Sequence, residues 1–231
     1  NEILTRIPIT LTINIVSMFL IFLISIYLGV KSALNKNKLF DKVASQLSLL
    51  SFSMPSFYLA LLCVMIFSVW LEVLPIAGLH SLETKTGLDY YLDVAWHLVL
   101  PISIITFGGI GSLTLYIRSL TLEILKSDYI FFAKARGLTK KEILRYYILP
   151  NLYPPVITLL GLSLPGIIGG SVILESIFSI DGMGLLFYQS ALSHDYPVIM
   201  GILIIGAFLT LIGNMFADLI LLKLNPNYEE N

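Results

Sequence analysis

The sequence predicts an all-α integral membrane protein with five transmembrane helices. Of its 231 residues, 57% are hydrophobic and only 13% are charged, and the mean hydropathy is +0.88. A soluble domain carries about a quarter charged residues, so this chain lacks the polar side chains that a water-facing surface needs. The charged residues also leave five uncharged windows, each long enough for the roughly 20 residues that cross a bilayer as a helix. These windows are 7–30, 43–71, 94–117, 146–174 and 196–217.

Two of the windows are longer than a span requires, and both contain prolines. Pro55 lies in the second window, and Pro150, Pro154, Pro155 and Pro165 lie in the fourth. Because proline interrupts a helix interior, we place the second span at about 50–71 and the fourth at about 155–174. A membrane β-barrel would show polar and apolar residues alternating over about ten positions, and this pattern is absent. The apolar composition also excludes intrinsic disorder.

The basic residues predict the orientation of the spans. Twelve of the 14 lysines and arginines lie in segments 31–42 and 118–145 or at Lys223, whereas only Arg6 and Lys85 lie on the other side. Short loops rich in lysine and arginine stay in the cytoplasm, so we expect the N-terminus outside and the C-terminus inside. No signal peptide precedes the first span, so we expect a further N-terminal segment, with one more span, upstream of residue 1.

The cytoplasmic segment 118–150 has the sequence signals of two short helices. Asp128 is a candidate N-cap for a helix over 129–136, and Gly137 suits the left-handed position that ends such a helix. Thr139 and Glu142 have the spacing of a capping box. We expect the second helix to end near Leu149, ahead of Pro150.

Three interpretations of this segment are open. It is an amphipathic loop on the membrane surface, a DNA-binding helix-turn-helix or a docking element for a cytoplasmic partner. Attachment to a span at both ends disfavours DNA binding. The small residues Ala133 and Ala135, the apolar neighbours and the caps together favour the docking element.

The residues of this segment resemble the EAA loop, the signature cytoplasmic loop of ABC-importer membrane subunits. The stretch from Asp128 to Thr139 reads DYIFFAKARGLT, and nine residues after Gly137 follows YILP, which ends at Pro150. Phe131 and Phe132 replace the first two residues of the generic Glu-Ala-Ala start. That departure resembles the dipeptide/oligopeptide/nickel branch, in which the pattern is D-Y-x-x-x-A-x-A-x-G-L. Segments such as 53–57 and 195–198 agree with the same branch, and the chain is most similar to its first, B-type permease.

The resemblance implies a type I ABC importer transmembrane fold at residues 9–223 in the cell inner membrane. Residues 1–8 would be the end of an extracytoplasmic segment, and residues 224–231 a cytoplasmic tail. The implied partners are a homologous second permease, two cytoplasmic ATP-binding subunits and an external solute-binding protein, in contact with lipid and without nucleic acid. The implied cargo is peptides or nickel complexes, and the sequence does not decide between them. The implied ATPase-coupling residues are Asp128, Tyr129, Ala133, Lys134, Ala135, Arg136, Gly137, Leu138, Thr139, Glu142 and Pro150.

No residue pattern indicates catalysis. The chain has no phosphate-binding Gly-x4-Gly-Lys-Ser/Thr loop, no carboxylate pair and no metal-spaced His/Cys cluster. We therefore expect no catalytic residue, metal or cofactor, and a transport subunit rather than an enzyme. Helix breakers within spans are tolerated where they line a cavity or pack against other helices, and Glu175 is either a gating or a solvated residue. The candidate pathway or gating residues are Met54, Pro55, Pro165, Gly166, Gly169 and Glu175. The alternative function is a passive channel or a membrane-anchoring subunit without ATP coupling.

Overall fold

A computed structural model describes residues 2–81, 83, 85–164 and 166–224. Two short segments, Val64–Trp70 and Leu144–Ile148, are π-helical and continue the helices before them. The α-helices are α1 (Glu2–Leu34), α2 (Leu39–Ser53), α3 (Ser56–Cys63), α4 (Leu88–Ile124), α5 (Asp128–Ala135), α6 (Lys140–Ile143), α7 (Leu149–Ser163), α8 (Gly166–Gly169), α9 (Val172–Ile177), α10 (Met183–Leu192) and α11 (Tyr196–Leu224).

Within the described residues, α1, α4 and α11 are long and apolar enough to cross a membrane, and the interrupted pair α2 and α3 could form a fourth span. The second predicted span differs in its bounds, because its helix begins at Leu39 and is interrupted at Met54-Pro55. Pro55 has the extended φ of −59° and ψ of 133° at the start of α3. Proline disfavours helical backbone in the residue before it, which explains the break.

The fourth window differs most from its prediction. We expected one span over 155–174, but α7 ends at Ser163 and the short helices α8 and α9 follow. Gly170 has a φ of +61°, a left-handed conformation that cannot continue a right-handed helix. Pro165 lies outside the described residues.

The helices divide into two compact units. The first contains the described residues of 2–20, 53–109 and 166–211. One apolar cluster in it joins α1, α3, α4 and α9 through Ile13, Ala60, Leu98, Leu100, Ile104, Leu174, Phe178 and Ile180. A smaller cluster joins α10 and α11 through Met183, Leu186 and Ile202.

The second unit contains residues 21–52, 110–164 and 212–224. In it α1 and α4 approach closely, because a Cβ atom at Gly29 would lie 2.7 Å from Cβ of Ile117. A Cβ at Gly111 of α4 would lie 2.9 Å from the backbone N of Phe52 in α2. Small residues that let backbones approach are typical of helix packing in membranes.

One face of α1 carries small hydroxyl side chains at every second turn. Thr10, Ser17, Ser25 and Ser32 are each at most 1% exposed, and their spacing is seven or eight residues. This period keeps a stripe on one side of a helix. The buried side of α1 therefore carries a stripe of small hydroxyl residues beside buried apolar residues such as Ile13 and Phe22, while Phe19 and Leu23 are exposed.

Candidate functional site

The first helix of the cytoplasmic segment, α5, begins one residue earlier than its sequence suggested. Ser127, with φ −70° and ψ 152°, is the N-cap, and Asp128 is the first helical residue. The prediction of Asp128 as the N-cap is therefore wrong. The Ser127 hydroxyl does not cap the helix, because it donates to the carbonyl of Ile124 at 2.6 Å. Asp128 instead places its negative charge in the first turn, where the helix dipole favours it.

The end of α5 is the glycine turn that the sequence predicts. Gly137 has a φ of +82°. Its N–H donates to the carbonyl of Lys134 at 3.0 Å, and the Leu138 N–H donates to that of Ala133 at 3.2 Å. These two bonds form a Schellman motif, which fixes the direction of the chain after the helix.

The capping box at the start of α6 is also present. The Glu142 N–H donates to Oγ1 of Thr139 at 3.3 Å, and Oε2 of Glu142 accepts the Thr139 N–H at 2.7 Å. The Thr139 hydroxyl donates to the same carboxylate at 2.7 Å. These bonds hold the pKa of Glu142 below its ordinary value, because they stabilise the charged form.

The second helix does not end near Leu149, so that prediction is wrong. The chain stays helical through α6, the π-helical turn Leu144–Ile148 and α7 as far as Ser163. Pro150 stands at the start of α7. A proline lacks the N–H that bonds backward along a helix, and the π-helical change of register immediately before it accommodates that loss.

The two helices of this segment bury one side and expose the other. Ile130, Ala133 and Ile143 are at most 5% exposed. We expected Ala133 and Ala135 to share a docking face, but Ala133 is buried whereas Ala135 is exposed. The exposed surface, which we call the loop face, consists of Phe131, Phe132, Lys134, Ala135 and Arg136.

Aromatic contacts brace the segment. The rings of Tyr129 and Tyr147 stack with centroids 6.4 Å apart and planes 14° apart, which joins α5 to the π-helical turn. Phe131 and Phe132 are 68% and 62% exposed and pack edge to face at 5.7 Å. Two adjacent phenylalanines so exposed form an apolar surface of the kind that marks an interaction site.

Glu175, the charged pathway candidate, is a buried residue of the first unit rather than a solvated one. It is 5% exposed. Its Oε2 accepts the Leu185 N–H at 2.8 Å, and the N–H groups of Ser171 and Gly184 and the Thr10 hydroxyl face the same carboxyl group. A Cβ at Gly182 would lie 2.5 Å from its Cδ, so glycine is needed there for the approach.

Thr10 and Glu175 together satisfy the start of α10. The Met183 N–H donates to Oγ1 of Thr10 at 2.8 Å, and Leu185 donates to Glu175. The first N–H groups of a helix have no partner within the helix, so these two side chains supply them. Glu175 therefore anchors α10 to α9 and α1.

The other pathway candidates that the structure describes lie at the ends of helices. Met54 and Pro55 form the interruption between α2 and α3, and Gly166 and Gly169 bound the four-residue α8. A Cβ at Gly166 would meet no heavy atom within 4 Å. The glycines that face Glu175 are Gly170, Gly182 and Gly184, which the sequence did not single out.

Sequence reasoning also missed a buried ion pair in the second unit. Asp41 is 3% exposed and accepts Nε and Nη2 of Arg118 at 2.6 and 2.8 Å. The Ser32 hydroxyl and the Asn37 N–H donate to the same carboxylate. The pair ties the start of α2 to α4. In the sequence, Asp41 lies among lysines in a loop segment, and such a charged segment is expected to be solvated rather than buried.

A second acidic residue has a similar role in the first unit. Asp93 of α4 accepts the backbone N–H and the hydroxyl of Ser81 at 2.6 and 2.7 Å and Nζ of Lys85 at 2.7 Å. The hydrogen bond to Asp93 raises the pKa of Lys85. In the described part of the chain, no three His, Cys, Asp or Glu side chains come together as metal ligands.

Comparison with known proteins relates this arrangement to transport. The family described as "Binding-protein-dependent transport system inner membrane component" matches residues 21–230. The oligopeptide transport system permease protein AppB of Bacillus subtilis (strain 168) is 37% identical over 98% of this chain and 71% of its own length. The di/tripeptide transport system permease protein DppB of Pseudomonas aeruginosa is 31% identical over 98% of this chain and 72% of its own. In fold, the chain is similar to a solved chain of the MetNI methionine ABC transporter, with a TM-score of 0.70 at 19% identity over 96% of each chain.

Proposed function

We propose a function from one premise: this chain belongs to the family of binding-protein-dependent transport system inner membrane components. It is the membrane-spanning permease subunit of an ABC importer, an all-α protein of the type I importer fold in the inner membrane. Such a subunit works with an ATPase and a binding protein.

We propose that the loop face docks the ATPase. The observation that carries this assignment is the build of 128–148, a helix closed by a Schellman turn at Gly137 and followed by a helix opened by the Thr139–Glu142 capping box. A passive channel or a membrane anchor has no need of so defined a cytoplasmic helix pair. The exposed Phe131 and Phe132 supply apolar area, and Lys134 and Arg136 supply charge for a partner. Asp128, Tyr129, Ala133, Ala135, Leu138 and Pro150 complete the set of coupling residues, and we call residues 128–150 the coupling segment.

We propose that the cargo is peptides rather than nickel complexes. The relatives named above carry oligopeptide and di/tripeptide names, which supports peptides. A homologous second permease would complete the pathway, two cytoplasmic ATP-binding subunits would drive it, and an external binding protein would deliver the peptide. Met54, Pro55, Pro165, Gly166 and Gly169 are the proposed pathway residues. For Glu175 we propose a gating role exerted through its hold on α10.

We propose that Asn1 lies outside and that residues 118–150 and the tail 224–231 lie in the cytoplasm. The transmembrane domain would then extend over 9–223, after an extracytoplasmic segment that ends at residue 8. The partition of lysine and arginine supports this orientation.

The orientation is tested by labelling with a membrane-impermeant thiol reagent. Cysteines are introduced separately as Lys36→Cys and Glu83→Cys in a Cys63→Ser background, because Cys63 is the only native cysteine. Glu83 is preferred to Lys85, since Asp93 holds Lys85. Cells should be labelled from outside only at position 83, and labelling of position 36 from outside would reject this orientation.

The docking assignment is tested with Phe131→Ser/Phe132→Ser in the complete transporter. The paired exposed variant Tyr153→Ser, on α7 and outside the loop face, is the control. Co-purification of the ATPase and ATP-driven peptide uptake should fall at least tenfold in the double variant and not in the control. Wild-type ATPase retention in the double variant would overturn the assignment.

A further inference from the structure

The second unit contains a groove whose lining combines lysines with apolar side chains. It lies among the end of α1, the residue after α4, the end of α5 and the start of α6. Its lining includes Lys38, Lys134 and Lys140 together with Leu34, Leu125 and Ile143. It is separate from the exposed phenylalanines that we assign to ATPase docking, although Lys134 borders both surfaces.

The charge in this groove has one sign. No carboxylate lines it. None of its three lysines makes an ion pair among the residues that the structure describes, whereas Arg118, Lys85 and Arg6 do. An uncompensated group of three ammonium groups attracts an anion, and the compact charge of lysine suits the oxygens of a phosphate.

The apolar half of the lining indicates an anion that carries an apolar part next to its charge. Leu34 is the last residue of α1 and Leu125 directly follows α4, so the groove begins where two apolar helices end. A ligand that fits must be anionic at one end and apolar next to it. Basic pockets among helix ends on the cytoplasmic side of a membrane match the headgroups of anionic lipids.

We propose that this groove binds the phosphate headgroup of an anionic phospholipid. The lysines contact the phosphate, and Leu34 and Leu125 contact the first part of the acyl chains. A bound lipid would link the ends of α1 and α4 to α5 and α6, and so would make the position of the coupling segment sensitive to lipid composition. The inference rests on the proposed function only in placing this groove at the cytoplasmic face.

The test compares two double variants of the complete transporter. Lys38→Gln/Lys140→Gln removes two groove charges and leaves Lys134, a proposed coupling residue, unchanged. Lys36→Gln/Lys141→Gln is the matched control. Lys36 and Lys141 are exposed and lie in the same two segments as Lys38 and Lys140, but they do not line the groove. Native mass spectrometry measures retention of phosphatidylglycerol and of phosphatidylcholine from mixed micelles, with inorganic phosphate added in a separate arm.

Because a lysine near an anionic surface contributes roughly fivefold to binding, loss of two lysines should lower the preference of the groove variant for phosphatidylglycerol about 25-fold. The control should keep the wild-type preference. Equal losses in both variants, or no loss in either, would overturn the proposal. Displacement of the lipid by inorganic phosphate at low concentration would also overturn it, since the site would then bind a free anion.

A further measurement separates this proposal from the docking assignment. If the groove holds an acidic side chain of the ATPase instead, the groove variant will lose ATPase in co-purification while its retention of phosphatidylglycerol is unchanged. A failed orientation test with intact lipid retention would reject the cytoplasmic placement and leave the lipid site standing.

Discussion

Replacement of Gly137 by alanine should weaken the coupling of ATP hydrolysis to uptake without disturbing the rest of the protein. Gly137 has a φ of +82°, and a Cβ added there would meet no heavy atom within 4 Å. The cost of the substitution is therefore conformational rather than steric. A side chain in the left-handed region costs about 1 kcal/mol, which corresponds to about a fivefold change in an equilibrium constant.

That cost acts on the Schellman turn, whose two hydrogen bonds hold α5 in its direction relative to α6. If this turn transmits force, the amount of peptide taken up per ATP hydrolysed should fall by up to about fivefold in Gly137→Ala. Gly137→Asn should fall less, because asparagine tolerates the left-handed conformation. The assay measures uptake and phosphate release in the same proteoliposomes.

Gly87→Ala is the matched control for this experiment. Gly87 has a φ of +64° and also has open space around its Cβ position, but it lies outside the coupling segment. Its substitution carries the same kind of strain and should leave the uptake ratio unchanged. A wild-type ratio in Gly137→Ala, or an equal loss in Gly87→Ala, would refute the role of the turn.

Three further outcomes are expected. Thr139→Ala/Glu142→Ala removes the capping box of α6, and loss of an N-cap costs roughly 0.5–2 kcal/mol. Uptake per ATP hydrolysed should therefore fall while the ATPase still co-purifies. An unchanged ratio of uptake to hydrolysis would mean that α6 is a passive connector. Arg118→Leu leaves the carboxylate of Asp41 buried without its arginine partner and should cost about 3 kcal/mol of stability, measured as a lower thermal unfolding midpoint in detergent. The double variant Asp41→Asn/Arg118→Leu should recover part of that loss. Equal midpoints for the two variants would contradict the ion-pair role. Glu175→Ala removes one of the two side-chain acceptors at the start of α10, so α10 should gain amide hydrogen exchange before the other helices do. Uniform exchange would show that Glu175 does not anchor α10.

The coupling segment illustrates which parts of a site a sequence predicts well. Gly137 as a left-handed residue and Thr139 with Glu142 as a capping box were both predicted, because each depends on residues at most five positions apart. Asp128 as the N-cap and Leu149 as a helix end were wrong. Serine is as good an N-cap as aspartate, so the sequence does not distinguish Ser127 from Asp128. A proline can end a helix or follow a π-helical turn inside one, so the sequence does not distinguish these two cases at Pro150.

The sequence by itself determined the membrane class, the apolar stretches and the distribution of charge, since these follow from how much apolar side chain the chain carries and where. Only the tertiary structure decided which residues are buried and which groups they contact. Ala133 faces inward, Asp41 pairs with Arg118 across 77 positions, and Glu175 lies against Thr10, which is 165 residues earlier in the chain. These contacts form because a buried charge or a free helix end needs a partner, and the partner is set by which helices the fold brings together.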